Sequence, residues 1–274
     1  MKILHLSDIH FRRDLGTAEI LPWRSSDSAY LRMLSHMENP LIFLDECLEK
    51  ALDGVDLVII TGDLTEDGSK EDYAFLKKHL DEKISGIPLV VTLGNHDSKE
   101  NFRRGFLGQS EAENPLLRYN SVSFVQGLPI ISLDSSIEGT ADGDLSPDQL
   151  CWLKNTLSEV GHTPSLLITH HHLLPSQGQV PPLPQSTQLA EVIKNSSVCA
   201  VLCGHSHFFH QDHMGSIPCC SADSLSFFGD TQKDGTVRFS ERYGYSIYDL
   251  SCGKLSLLKH RCFAGKDNLA TIRF

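Results

Sequence analysis

Pro88-Leu89-Val90-Val91-Thr92-Leu93-Gly94-Asn95-His96-Asp97 begins as a short apolar, β-branched run and ends by placing an amide oxygen, an imidazole and a carboxylate on consecutive residues. Such a run reads as a buried strand whose C-terminal end delivers Asn95, His96 and Asp97 into a loop. Three other runs end alike. Ile3-Leu4-His5-Leu6 leads to Asp8 and His10, Leu57-Val58-Ile59-Ile60 to Gly62-Asp63, and Val198-Cys199-Ala200-Val201-Leu202 to Gly204-His205-Ser206-His207. In open α/β sheets, sites form at the carboxyl ends of strands, so these polar turns are expected to converge.

Between the first strands the periodicity is helical. Leu41, Leu44, Cys47, Leu48, Ala51 and Leu52 share a face, and Gly54 stops the run. Ser69 with Glu71 and Asp72 reads as a second helix start, with Tyr73, Leu76 and Leu80 on one face. Gly86-Ile87-Pro88 breaks that helix, which predicts a βαβαβ order with parallel strands. Phe102 and Phe106 mark a short helix that carries Arg103 and Arg104. The polar stretch from Phe11 to Asn39 is long for a βα connection and reads equally as a lid beside the site or as a solvated insertion.

Later in the chain, Val122–Val125 and Pro129–Leu133 flank Gln126-Gly127 and predict a hairpin. Ser146-Pro147-Asp148-Gln149 predicts a helix start with a capping box, and Leu150, Leu153 and Leu157 form its stripe. Ser165–Thr169 is a strand running into His170-His171-His172; Val180–Pro184 is a stiff loop; Leu189–Ile193 is a helix. The tail reads as β-rich, and residues 216–274 are expected to complete a second sheet within one domain spanning 1–274.

With 274 residues, 40% of them hydrophobic, the chain is long enough for a large core. A net charge of -11 argues against general nucleic-acid binding, which relies on Lys and Arg. No apolar run approaches a bilayer span, and Met1-Lys2-Ile3-Leu4 enters a core strand, so a soluble cytoplasmic protein with no membrane partner is expected. Of the eight cysteines, Cys47, Cys151, Cys199 and Cys203 lie in apolar segments and read as buried free thiols. Cys199 and Cys203 share a strand face yet are too far apart to chelate one metal readily. The vicinal Cys219-Cys220 reads as a strand position, with redox activity as the alternative.

Taken together, Asp8, His10, Asp63, Asn95, His170, His205 and His207 are seven candidate ligands of mixed nitrogen and oxygen chemistry at or just past strand ends. That set suits two borderline divalent cations, Mn²⁺, Fe or Zn²⁺, better than a thiolate zinc site or an all-oxygen calcium site.

The motifs Asp8-x-His10, Gly62-Asp63, Gly94-Asn95-His96-Asp97, the late His and Gly204-His205-Ser206-His207 resemble in order and spacing those of the calcineurin-like metallophosphoesterases. Leu133-Asp134-Ser135, Gly143–Leu153 and Gly244-Tyr245 make the chain similar to the class III cyclic nucleotide phosphodiesterases and the related glycerophosphodiesterases. The resemblance implies an α/β fold, a four-layer αββα sandwich of two mixed sheets flanked by helices. It implies that Asp8, His10 and His207 hold one metal, that Asn95, His170 and His205 hold the other, and that Asp63 bridges them. His172 is the alternative to His170, because the family shows two His followed by Pro where this chain has His170-His171-His172-Leu173-Leu174-Pro175. Dimer contacts near the tail, hence a homo-oligomer, are also implied by the resemblance alone.

The implied reaction is hydrolysis of a small phosphodiester, a cyclic nucleotide or glycerophosphodiester, by in-line attack of a metal-bridging hydroxide. His96 is the expected proton donor or phosphate-oxygen stabiliser, with Asp97 either orienting it or capping the helix that follows. Arg12, Arg13, Arg24 and Arg103 are weaker candidates for a phosphate or ribose contact. Competing readings are a nuclease or nucleotide pyrophosphatase of the same superfamily. A protein phosphatase fits less well, since such enzymes end the third motif with Glu where this chain has Asp97. A metal-dead binding scaffold is the reading from another class.

Overall fold

The computed structural model describes residues 1–13, 28–110 and 117–273. Strand β1 (Lys2–Leu6) is followed by α1 (Ser28–His36), α2 (Pro40–Ala51), β2 (Leu57–Thr61), α3 (Lys70–Ile84), β3 (Leu89–Thr92) and α4 (Lys99–Asn101). β1, β2 and β3 pair in parallel, as the two crossover helices require. Asn39 caps α2 through the Leu41 N–H, and Ser69 caps α3 through the Asp72 N–H. One π-helical turn, Phe102–Phe106, continues α4 and carries Arg103 and Arg104.

β4 (Ser121–Val125) and β5 (Leu128–Ser132) form the expected hairpin, with Gln126 (φ 49°) and Gly127 (φ 82°) both left-handed at its turn. Next come α5 (Pro147–Val160), β6 (Ser165–Ile168), α6 (Ser186–Ile193), β7 (Val198–Cys203), β8 (His210–Met214) and β9 (Ile217–Ser221). The capping box of α5 is complete: Ser146 accepts from the Gln149 N–H, and the Gln149 side chain returns to the Ser146 N–H. These strands make a six-stranded mixed sheet in the order β4-β5-β6-β7-β9-β8.

The expectation for the tail needs correction. Only β9 enters that second sheet. β10 (Leu225–Thr231), β11 (Val237–Ser251), β12 (Lys254–Ala264) and β13 (Ala270–Ile272) extend the first, in which β11 lies antiparallel to β1 and pairs Ile3 with Tyr248. The reason is an open edge: β1 has β2 on one side, and β11 satisfies the backbone groups on the other.

Alternation along the strands sets the layers. Leu4, Leu6, Val58, Ile60 and Val91 face α2 and α3, while Ile3, Leu57, Ile59 and Val90 face the second sheet and meet Ile130, Leu166, Ile168 and Leu202 there. Ile131, Leu167 and Val201 point the other way, onto α5 and α6 through Leu153, Leu157, Leu189 and Ile193. The architecture is therefore a four-layer αββα sandwich of two mixed sheets. Each fully buried aliphatic side chain in these layers contributes about 1.5–3 kcal/mol. Helix α1 packs on the β10, β11 and β13 part of the first sheet, in a cluster of Met33, Leu34, Phe227, Phe239 and Ile272.

All eight cysteines are free. Cys47 and Cys203 are buried as expected, but Cys151 is exposed on α5 because it sits off that helix's apolar stripe. Cys219 and Cys220 occupy β9 and point to opposite cores. Among the described residues, no helix is long and apolar enough to cross a membrane.

Candidate metal centre

The turns after β1, β2, β3, β6 and β7 meet at one end of the sandwich. The first two run side by side, with the Asp8 N–H donating to the Gly62 carbonyl (3.1 Å) and the His10 N–H to that of Asp63 (2.9 Å). Two glycines allow this closeness: a Cβ on Gly94 would lie 2.2 Å from Asp63 Oδ1, and one on Gly204 1.9 Å from Ser7 Oγ and 2.6 Å from Asp8 Oδ2. Asp8, His10, Asp63, His205 and His207 all have positive φ, between 47° and 67°. Left-handed backbone is uncommon for such residues, and its concentration in five of the seven candidate ligands marks strain gathered at a functional site.

Asp8, His10, Asp63 and His207 each offer a donor atom within 4.8 Å of the others, and so do His170, His171 and His205. Asp63 Oδ2 lies 3.5 Å from His10 Nε2, 3.4 Å from His170 Nε2 and 4.0 Å from His96 Nε2. Asn95 Oδ1 lies 3.1 Å from His170 Nε2 and 3.0 Å from His205 Nδ1. His207 Nε2 lies 3.3 Å from Asp8 Oδ1 and 3.2 Å from His10 Nε2.

The opposite nitrogens of three rings are tied down. His10 Nδ1 meets Glu66 Oε2 (2.8 Å), His170 Nδ1 the Thr61 carbonyl (2.8 Å) and His207 Nδ1 the Phe227 carbonyl (2.6 Å). Acceptors at those positions assign the ring proton to Nδ1 in a neutral imidazole, so each Nε2 lone pair faces other acceptors. Lone pairs confronting one another repel unless a cation or a shared proton lies between them. Donors around one such ion at ordinary bond lengths stand roughly 3.0–3.4 Å apart, close to the spacings here. The mixed imidazole, carboxylate and amide set therefore fits divalent cations.

Without a cation the same crowding shows as displaced ionisation. Burial and the neighbouring imidazoles act oppositely on Asp63; His170, His96 and His10 prevail and hold it well below the ordinary carboxylate range. Burial opposes charge on His170, yet the Asp63 carboxylate raises it to about 9. His205 is pushed well below the ordinary value by burial and the adjacent His171 and His170.

The hydrogen bonds of Asp97 run neither to the His96 ring nor to the start of the following helix as expected of a cap. Its carboxylate turns inward, accepting from the Gly94 N–H (2.8 Å), the Leu64 N–H (3.1 Å) and the Tyr73 hydroxyl (2.8 Å). Ser98 caps the following helix instead. The group beside His96 is one that sequence reasoning missed, Glu66: its Oε2 and its carbonyl oxygen each lie 3.2 Å from His96 Nδ1. Its only signal was position, three residues after Asp63 in a motif already singled out.

Of the histidine run, His170 reaches Asp63 and Asn95. His171 is braced between Ser135 Oγ (2.7 Å) and the Ala141 carbonyl (3.1 Å), and His172 lies behind, its ring 6.1 Å from that of His205. The arginines are engaged elsewhere: Arg12 with the Leu34 carbonyl, Arg13 with Asp72, and Arg103 with the Lys99 and Leu117 carbonyls. Arg24, and much of the Phe11–Asn39 connection, fall outside the described residues.

Residues 1–209 match the family model of the calcineurin-like phosphoesterases, and the chain belongs to that family. Among curated proteins it is 33% identical over 180 residues to a probable cyclic nucleotide phosphodiesterase of Rhodococcus erythropolis, covering 64% of this chain and 59% of that protein. It is 35% identical over 164 residues to the probable glycerophosphodiester phosphodiesterase GpdQ of Arcobacter nitrofigilis, covering 56% of each. The matches thus span less than two thirds of these relatives' length. In fold it is similar to the purple acid phosphatase PPD1 from yellow lupin (Lupinus luteus), with a TM-score of 0.58 at 12% identity over 96% of this chain and 53% of that one.

Proposed function

We propose that this chain is a phosphodiesterase with two divalent cations, acting on a small phosphodiester such as a cyclic nucleotide or a glycerophosphodiester. The observation that carries the reading is the confrontation of acceptor atoms around Asp63 and Asn95, supported by relatives of both substrate classes. Asp8, His10 and His207 would hold one cation, and Asn95, His170 and His205 the other. Asp63, with one oxygen near a ring of each group, would hold both. When bound, the cations supply an acidified water and neutralise the phosphoryl oxygens.

The protein's own side chains orient the rest. Asp63 Oδ1 accepts the His96 N–H (2.8 Å), which fixes the turn carrying His96. The His96 ring, held at Nδ1 by Glu66, directs Nε2 toward the cluster and donates a proton to the leaving oxygen or stabilises a phosphate oxygen. Pairing of β1 with β11 supports one folding unit over residues 1–274, and free cysteines accord with a reducing, cytoplasmic setting.

The test is to load the purified protein with Mn²⁺, Fe²⁺ or Zn²⁺, measure bound metal, and assay 3′,5′- and 2′,3′-cyclic nucleotides, glycerophosphodiesters, nucleotide diphosphate esters, monoesters and bis-p-nitrophenyl phosphate. Two equivalents of metal with diester hydrolysis are expected. No bound metal and no hydrolysis would return the chain to a binding scaffold.

A further inference from the structure

Between β5 and α5 the chain makes a loop that is clamped at its neck and nearly free at its tip. Ser136 and Gly143 form an antiparallel bridge, and the Arg118 guanidinium donates to the carbonyls of Asp134 (3.3 Å), Ser136 and Asp144 (3.2 Å). Within the tip, residues 137–142, the Asp142 N–H donates to Thr140 Oγ1 (3.1 Å). Among the described residues, a single hydrogen bond reaches that tip from outside, from His171 Nε2 to the Ala141 carbonyl (3.1 Å).

The His171 ring is itself fixed. Ser135 Oγ lies 2.7 Å from His171 Nδ1 and accepts from the His171 backbone N–H (3.3 Å). A carbonyl can only accept, so the ring proton sits on Nε2 and Nδ1 accepts from the Ser135 hydroxyl. Both nitrogens are thereby used within the protein, which leaves none for a cation. Gly143 lies against the ring, where a Cβ would stand 2.5 Å from Cγ, and the His205 ring is 4.3 Å away.

Of the residues proposed to hold the second cation, Asn95 and His170 are buried and His205 is partly exposed, so substrate approaches that cation past His205. The loop tip stands one imidazole away from it. His96 lies at the other flank, its ring 4.3 Å from that of His10. A diester whose leaving oxygen faces His96 therefore turns the alcohol that it keeps toward the His171 side. We infer that residues 137–142 form the wall of the cleft against that retained alcohol, and that His171 is the positioning residue that sets where the wall stands. This rests on the proposed diesterase reading and extends it to recognition of the non-leaving half of the substrate.

Two diesters with one leaving group isolate the wall. Methyl p-nitrophenyl phosphate keeps only a methyl group, whereas thymidine 5′-(p-nitrophenyl phosphate) keeps a nucleoside. His171→Phe retains a ring but cannot donate to Ala141; His171→Gln retains a donor of similar reach. In the metal-loaded protein, His171→Phe should raise KM for the thymidine ester about three- to tenfold more than KM for the methyl ester, with two equivalents of metal retained. Amide hydrogen exchange across residues 137–142 should quicken in His171→Phe, and His171→Gln should return both exchange and KM toward wild type. Unchanged exchange in His171→Phe, or no recovery in His171→Gln, would overturn the tie. Faster exchange with no rise in KM, an equal rise on both esters, or loss of metal would overturn the wall. If His171→Phe does not fold, Thr140→Trp decides, since it enlarges the tip and leaves His171 in place. It should raise KM for the thymidine ester about threefold or more over that for the methyl ester, and an unchanged ratio overturns the wall. A wild-type protein that binds metal and cleaves neither ester sinks the diesterase reading, while the exchange comparison still judges the tie.

Discussion

His170 Nε2 lies 3.1 Å from Asn95 Oδ1, while the ring's other nitrogen lies 2.8 Å from the Thr61 carbonyl oxygen. In the neutral ring with its proton on Nδ1, these are two acceptors facing one another, as they would across a cation. Asn95→Ala or His170→Ala should therefore lower bound metal from two equivalents to one, as read by elemental analysis after dialysis. His172→Ala should retain both, since its ring stands behind His205. Equal loss from His170→Ala and His172→Ala would mean that the histidine run is read wrongly.

His96 makes a contrasting case. Its Nε2 is 4.0 Å from Asp63 Oδ2, and its Nδ1 is turned to Glu66. Placed beside the cluster, it should be dispensable for metal and needed for turnover. His96→Ala is expected to cut kcat about 10²- to 10⁴-fold, the usual range for a positioned acid or base, with metal content near normal. Full activity on several alkoxide-leaving diesters would rule the role out.

Close backbone approach gives a third prediction. A methyl group on residue 94 would meet Asp63 Oδ1 at 2.2 Å and its backbone nitrogen at 2.5 Å, both fixed parts of the turn. Gly94→Ala should displace the carboxylate proposed to bridge the cations, abolishing binding of both metals. Calorimetric titration of the chelator-treated variant checks this; wild-type affinity would show that the turn relaxes without moving Asp63.

Much of this site was legible because its signals are local. The apolar runs Leu57–Ile60 and Leu89–Leu93, the caps at Ser69 and Ser146 and the Gln126-Gly127 turn all depend on near neighbours, and each forms as read. The seven candidate ligands were readable for the same reason, lying at the ends of those strands. What escaped depends on distant parts of the chain. Tyr248 opposes Ile3 across some 245 residues of sequence, and nothing in the alternation of β11 says which sheet it will join. Glu66 becomes important only when His10 and His96 arrive from two other turns. Asp97 looked like a partner for its neighbour His96, yet its turn folds back so that Gly94, Leu64 and Tyr73 are nearer.

That inward bonding makes Asp97 a matter of stability. Burial and the charge of Asp63 raise its carboxyl to about 6, yet it is the acceptor shared by three backbone N–H groups, those of Gly94, Leu64 and Thr65, and one hydroxyl. Asp97→Ala leaves those donors without it and should cost on the order of 2–3 kcal/mol in urea unfolding. Unchanged stability with activity lost as in His96→Ala would indicate instead that Asp97 acts through the imidazole.

Remote from the metal ligands' inner atoms, His5 makes stability depend on pH. It is fully buried on β1, with Nε2 3.0 Å from Thr61 Oγ1, and burial lowers its pKa from 6.5 to about 3. The unfolded chain binds a proton at His5 below pH 6.5 that the folded protein refuses until about pH 3. Its contribution to stability is therefore fully present above pH 6.5 and is lost as pH falls toward 3. Across that window one such group imposes a slope of about 1.4 kcal/mol per pH unit. His5→Gln keeps a side chain able to bond Thr61 Oγ1 but cannot take up the proton. Urea unfolding of the chelator-treated proteins at pH 7, 6 and 5 should show the variant losing stability less steeply than wild type, by up to that slope. Parallel lines for the two proteins would mean that His5 already accepts a proton in the folded state.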